Sequence, residues 1–131
     1  MSITYQFNFD GSIQDIINLY KISFVEFPRP VDDEIRMKKI FDHSSIIACA
    51  YSNNRLIGIC RALSDFGYVT YISDLAVDPD YQRQSIGKTL IKMIQDKCGS
   101  HCKIVLLSNN NANTFYSHIG FQKHERAWTL D

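Results

Sequence analysis

The chain has 131 residues, 45% hydrophobic and 21% charged. That is the balance of an ordinary globular domain, long enough to fill a two-sided core. Its 14 Lys and Arg balance 14 Asp and Glu, so charge gives no reason to expect nucleic acid or an anionic membrane as a partner.

No apolar run reaches membrane-spanning length, and the first residues lack a basic segment followed by an apolar stretch. Residues 1–131 are therefore expected to be a single, cytoplasmic domain. Of the four cysteines, Cys49 and Cys60 sit in apolar, strand-like stretches and read as buried thiols. Cys98 and Cys102 flank His101 but lack a second ligand pair at zinc spacing, so no metal is expected. Reduced cysteines fit a cytosolic protein.

Residues 3–9 alternate polar and apolar, the pattern of a short strand. Residues 12–20 carry Ile13, Ile16, Ile17 and Tyr20 at helical spacing, with Ser12 placed to cap them. Residues 24–30 form a loop rich in aromatics and proline. Residues 32–41 read as a helix started by Asp32 and Asp33. Residues 46–51 and 56–63 are strands joined by the hairpin signal Ser52-Asn53-Asn54-Arg55. A turn at Asp65-Phe66-Gly67 leads into a strand over residues 68–77, ended by Asp78-Pro79-Asp80. Ile86, Leu90, Ile91, Ile94 and Cys98 mark a strongly periodic helix, and residues 103–107 a buried strand. Ala112, Phe115, Tyr116 and Ile119 mark another helix closed by Gly120, and residues 121–130 a final strand. This is a mixed α/β layout with a mostly antiparallel front half. Strands 68–77 and 103–107, joined through a helix, are expected to be parallel by a right-handed crossover.

Between residues 77 and 90 a strand ends, a polar turn follows and a helix begins near Gln84-Ser85-Ile86-Gly87-Lys88. A helix N-terminus offers unpaired N–H groups and the positive end of a dipole, which suits phosphate. Gly87 would let a pyrophosphate approach the backbone, and Gln82, Arg83, Gln84 and Lys88 add donors and charge. An ordinary strand-to-helix turn with a packing glycine is the other reading.

Asp74-Leu75-Ala76-Val77, followed by Gln82-Arg83-Gln84-Ser85-Ile86-Gly87-Lys88, resembles the acetyl-CoA signature of GNAT acetyltransferases. The family pattern is Gln/Arg-x-x-Gly-x-Gly/Ala; Gln82 and Gly87 match it, and Ser85 replaces the first glycine. Asn109-x-x-Ala112-x-x-Phe115-Tyr116, then Ile119-Gly120-Phe121, is similar to the family's second signature. The resemblance implies a mostly antiparallel sheet flanked by helices, with one parallel strand pair at the cofactor site. It implies acetyl-CoA as cosubstrate, bound by the backbone of Leu75 and Val77. The turn Gln82, Arg83, Gln84, Ser85, Gly87 and Lys88, with Asn109, Ala112, Phe115 and Tyr116, completes that site. Ser85 is expected to open the helix with negative φ and to donate its hydroxyl to phosphate.

The resemblance also implies direct attack of an amine on the thioester in a ternary complex. The Leu75 N–H is the oxyanion donor and Tyr116 the acid for the departing thiolate. A core tyrosine is the alternative reading of Tyr116. Asp74, an acid in an apolar strand, is a candidate to anchor the ammonium or take its proton. It reads equally as a solvated carboxylate or a partner of Arg61. His118 and His124 are lesser candidates. Phe24 and Phe27, with Pro28, Pro30 and Tyr71, suggest an apolar acceptor pocket suited to a flat aromatic amine, or simply a loop packed on the core. Phe27-Pro28-Arg29-Pro30-Val31-Asp32 and His43-Ser44-Ser45 are loosely similar to the serotonin-type arylalkylamine acetyltransferases, which implies a small primary amine. Three other readings stand beside it: a protein N-terminal or lysine acetyltransferase, a non-catalytic acyl-CoA-binding module, and a nucleotide switch. The last needs a glycine five residues before Gly87, and position 82 is Gln. Monomer and homodimer are both open.

Overall fold

The computed structural model describes residues 2–109 and 112–131. In chain order it contains β1 (Thr4–Phe7), α1 (Ile13–Ser23), α2 (Glu34–Asp42), β2 (Ile46–Ser52) and β3 (Arg55–Ser64). There follow β4 (Val69–Val77), a 3-10 turn (Pro79–Tyr81), α3 (Ile86–Cys98), β5 (Lys103–Leu106) and α4 (Asn113–His118). The strands form one five-stranded sheet in the order β1-β2-β3-β4-β5, antiparallel except for the parallel pair β4–β5. This is the fold class expected from the sequence.

Local chemistry sets the turns. Asn53 and Asn54 both take left-handed φ, 51° and 63°, which fits the two-residue hairpin turn that matches strand twist. Between β3 and β4 the Asp65 carboxylate accepts the backbone N–H groups of Gly67, Tyr68 and Val69 at 2.9, 2.7 and 3.1 Å. At the start of α2, Asp33 accepts the Arg36 N–H at 3.0 Å. Ser12 precedes α1, but its side chain makes no capping hydrogen bond.

The helices cover both faces. Ile16, Ile17 and Tyr20 of α1 and Met37 of α2 pack against Cys49, Ile59 and Ala76. On the opposite face Ile86, Leu90, Ile91 and Ile94 of α3 pack against Ala48, Ala50, Ile57, Cys60 and Ala62. Small sheet residues let α3 lie close: a Cβ on Gly58 would stand 3.1 Å from an Ile86 methyl carbon. Burying each such Ile or Leu contributes about 1.5–3 kcal/mol.

Two expected elements differ. β1 stops at Phe7 rather than residue 9, because Asn8 turns left-handed at φ 67°. Residues 121–130 form no strand. Residues 122–126, Gln-Lys-His-Glu-Arg, offer no apolar alternation to bury, and Trp128 is 92% exposed. Phe121 alone is anchored, its N–H donating to the Tyr116 carbonyl at 2.9 Å.

Candidate active site

The site begins where two strands part. β4 pairs with β5 only over Val69–Ile72, while on its other edge it stays paired with β3 as far as Val77. Beyond Ile72 the β5 side of β4 therefore opens into a gap. The Asp78 N–H donates to the Ile57 carbonyl at 2.8 Å. Peptide groups alternate along a strand, so those of Ser73, Leu75 and Val77 face the gap. The Ser73 carbonyl accepts from Arg29 Nη2 at 2.8 Å and the Val77 carbonyl from the Ser23 hydroxyl at 3.4 Å. Leu75 lies between these capped positions.

The gap is one wall of a cavity of about 1110 Å³. The turn after β4 forms its mouth. Arg83 and Ser85 both have left-handed backbone, at φ 65° and 62°, and helical α3 follows at once. Such a change of hand turns successive N–H groups into a concave anion seat. The first turn of α3 carries no acidic residue, so its positive dipole end is not neutralised by a carboxylate. Gln82, Arg83, Ser85, Gly87 and Lys88 line the cavity; Gln84 does not.

One expectation about this turn is corrected. Ser85 has positive φ, with ψ 19°, and its side chain caps nothing; a side chain there costs about 1–2 kcal/mol against Gly. The helix is opened instead by the Ser85 carbonyl, which accepts the Thr89 N–H and hydroxyl at 3.0 and 2.8 Å. A Cβ on Gly87 would stand 3.2 Å from Cζ of Phe115 and 3.7 Å from a Leu75 methyl. Its missing side chain therefore serves the closeness of α3, α4 and β4.

Across the cavity, α4 contributes Phe115, Tyr116 and His118. Tyr116 is wedged edge-on between Phe115 and Phe121, with ring centroids 5.1 and 5.5 Å away. Burial, with the nearby Cys60 thiol adding and Arg29 opposing, pushes its hydroxyl up to about 12. Tyr116 thus keeps its proton at neutral pH and can donate it in a hydrogen bond. Asn109 and Ala112 also line the wall.

The α1–α2 loop closes the remaining side through Ser23, Phe24, Glu26 and Arg29. Phe27 and Tyr71, expected to join them, do not line the cavity; Phe27 is exposed. Asp74 does not line it either. A bulge in the β3–β4 register, between the partners Ala62–Ile72 and Arg61–Asp74, leaves Ser73 unpaired. It swaps the faces: Ile72 packs under α3, whereas Ala76 packs under α1. Asp74 follows Ala76 and is buried against Tyr20. One carboxylate oxygen accepts from Arg29 Nε at 2.6 Å and the Ser73 hydroxyl at 3.3 Å. The other accepts from Arg61 Nε at 2.6 Å and the Tyr20 hydroxyl at 2.8 Å. Burial works against the charged form, but the guanidinium groups of Arg61 and Arg29 outweigh it and lower the Asp74 pKa. A carboxylate so held is a weak base, with both oxygens occupied. Of the partners offered by the sequence, Arg61 is the one observed, joined by Arg29.

The acetyltransferase (GNAT) family profile matches residues 13–121. The chain belongs to the GNAT acetyltransferase family. It is 38% identical over 73 residues to a histone acetyltransferase of Glycine max, covering 52% of this chain and 30% of that protein. It is 31% identical over 118 residues to the uncharacterized N-acetyltransferase ycf52 of Porphyra purpurea, covering 82% of this chain and 66% of that protein. The chain thus spans under a third of the first relative and about two thirds of the second. An aminoglycoside N-acetyltransferase, AAC(6')-Iy, solved with CoA, shares the fold with a TM-score of 0.76 at 16% identity, covering 99% of this chain and 94% of that one.

Within this GNAT chain the fold brings Leu75, Val77, the turn from Gln82 to Lys88 apart from Gln84, Phe115 and Tyr116 around one cavity. It sets Asp74, Phe27 and Tyr71 outside the lining. Arg29 and Glu26 also line the cavity, though the sequence assigned them no role; the β4 partners of Arg29 lie 44 and 45 residues away, where no local pattern reaches. Cys98 and Cys102 are free thiols, and the Cys102 Sγ points to the Cys98 carbonyl at 3.3 Å.

Proposed function

We propose that this chain transfers an acetyl group from acetyl-CoA to a small primary amine. The supporting observation is the gap in β4 beside Leu75, with the acid-free N-terminus of α3 at its mouth. The residues present fit the cosubstrate. The concave N–H groups from Arg83 to Lys88, with the charges of both, suit a pyrophosphate. The gap-facing peptide groups of Leu75 and Val77 suit a pantetheine amide chain. The Leu75 N–H donates to the thioester oxygen as negative charge builds there. The amine nitrogen bonds to the acyl carbon, the carbon–sulfur bond breaks, and Tyr116 donates to the departing sulfur. The proton leaving nitrogen passes to water at the cavity mouth.

The acceptor is proposed to have an apolar, aromatic body, an arylalkylamine. Phe24 in the lining and the looser sequence resemblance support this. A polycation is disfavoured, because on the loop side of the cavity the described lining residues offer one carboxylate, Glu26, beside the cation Arg29.

Acetyl-CoA should raise the melting temperature, since it binds only the folded chain. Lys88→Glu, which reverses an exposed charge beside the phosphate turn, should remove most of that shift. Equal shifts in both proteins would remove the assignment. CoA release with tryptamine, tyramine, lysine, an aminoglycoside and a peptide N-terminus then ranks acceptors. An aminoglycoside or peptide ahead of both arylalkylamines would overturn the acceptor class.

A further inference from the structure

Arg29 has an unusual position. Its guanidinium lies over the Phe24 ring, 4.1 Å from the centroid, and its side chain remains 25% exposed. Three of its N–H groups are engaged, by Asp74, Phe27 and Ser73, at 2.6, 2.7 and 2.8 Å. An arginine has five, so donors remain on a side chain that lines the cavity. Arg29 and Arg61 share the single carboxylate of Asp74, so these three side chains together carry one positive charge, and Glu26 lines the same side of the cavity.

Position along the strand adds a distance. Arg29 grips the Ser73 carbonyl, two residues before Leu75 on the same gap-facing edge. Two strand residues span about 6.6 Å. An amine attacking a thioester held at Leu75 stands about 3–3.5 Å from the acyl carbon. In an α-amino acid the carboxyl carbon lies about 2.5 Å from the nitrogen. The two lengths together, about 5.5–6 Å, let a carboxylate on such an amine extend from Leu75 as far as Ser73, where Arg29 lies.

We infer that Arg29 seats a carboxylate of the acceptor, so that the substrate is an amine of the amino-acid type, with the acid two or three bonds from the nitrogen. This rests on the acetyl-transfer reading above and narrows it: the arylalkylamine is one that carries its carboxylate. Arg29 then has a double task, binding the acceptor's acid and, through Asp74 and Ser73, fixing the loop to β4. An arginine already bent round a carboxylate and a carbonyl is a preorganised fork for a second carboxylate.

The test uses the whole chain, saturating acetyl-CoA and CoA release as readout. The acceptors are tryptophan, tryptophanamide and tryptamine, compared as kcat/KM at equal concentrations of neutral amine. Leucine and leucinamide repeat the charge comparison with a different side chain. Each acid should exceed its amide by about 10- to 100-fold, the size of a charge-assisted hydrogen bond. Arg29→Gln should collapse that ratio to near one, Arg29→Lys should keep part of it, and the KM for acetyl-CoA should stay within about twofold. Amides matching or outrunning their acids in the wild type would overturn the inference, whatever the stability of the variants. So would an unchanged acid-to-amide ratio in a folded Arg29→Gln. If no amine is turned over although acetyl-CoA binds, the acetyl-transfer reading itself falls.

Discussion

Replacing Asp74 by Asn keeps the shape of the side chain and removes its charge, and the structure sets what that costs. Four donors converge on the carboxylate: Arg29, Ser73, Arg61 and Tyr20. The two hydroxyls can rotate and accept from an amide N–H, but a guanidinium has no acceptor. Whichever way the amide turns, its NH₂ faces one arginine, which is left with an opposed donor and no counter-charge. The side chains of Asp74, Arg61 and Arg29 are only 1%, 10% and 25% exposed. Breaking a buried pair costs about 3–5 kcal/mol; the partial exposure of Arg29 places this case near the lower end, about 3 kcal/mol. For a domain of this size that lowers the melting temperature by roughly 10 °C. The pH dependence has a definite sign. The folded pKa of Asp74 is lowered, so its stabilisation is full above the unfolded carboxylate value of about 3.9. It is lost as pH falls through the lower folded value. Urea denaturation should therefore show the full gap between wild type and Asp74→Asn at neutral pH, and a narrowing gap in acid. A neutral-pH loss below about 1 kcal/mol, or a gap that does not narrow, would refute the view that two guanidinium groups depend on this one charge.

Tyr116→Phe should lower kcat by more than it weakens acetyl-CoA binding, since the hydroxyl matters most as sulfur leaves. An unchanged rate, with chemistry shown to be rate-limiting, would make Tyr116 a packing residue between Phe115 and Phe121. Ser85→Gly should stabilise the chain by about 0.5–1 kcal/mol, the relief of a left-handed serine less the added freedom of the unfolded chain. It should bind acetyl-CoA at least as tightly, and a lower melting temperature would count against strain at that position.

Much of the fold was legible because its determinants are local. Helical spacing of Ile86, Leu90, Ile91 and Ile94 specified α3, and paired asparagines specified the β2–β3 hairpin. The turn proposed to seat the phosphate was legible in outline for the same reason, since a strand, a turn and a helix N-terminus are contiguous. The backbone hand at Ser85 was not. Negative φ would suit a helix start, but the chain enters α3 from a left-handed turn, and a side chain that tolerates either hand does not announce which it takes. The tail was misread as a strand: Phe121, Trp128 and Leu130 are apolar, but the polar run between Phe121 and Ala127 gives no face to bury, and Trp128 and Leu130 are exposed.

The surroundings of Asp74 were hidden by one extra residue. Ile72, Asp74 and Ala76 alternate in the sequence and would all face one way in a regular strand. The bulge at Ser73 breaks that rule, sending Ile72 under α3 and Asp74 with Ala76 toward α1. A bulge inserts one residue, turns the following side chains to the other face and bends the strand. The same insertion accounts for three features together. Asp74 turns inward to Tyr20 and Arg61, the Ser73 carbonyl is offered to Arg29, and β4 parts from β5 just beyond Ile72. The gap that opens beside Leu75 and the positive charge at its end thus share one cause in the backbone. The acid in the strand, read either as an anchor for the incoming ammonium or as a partner of Arg61, pairs with Arg61 and also holds Arg29, which lines the cavity.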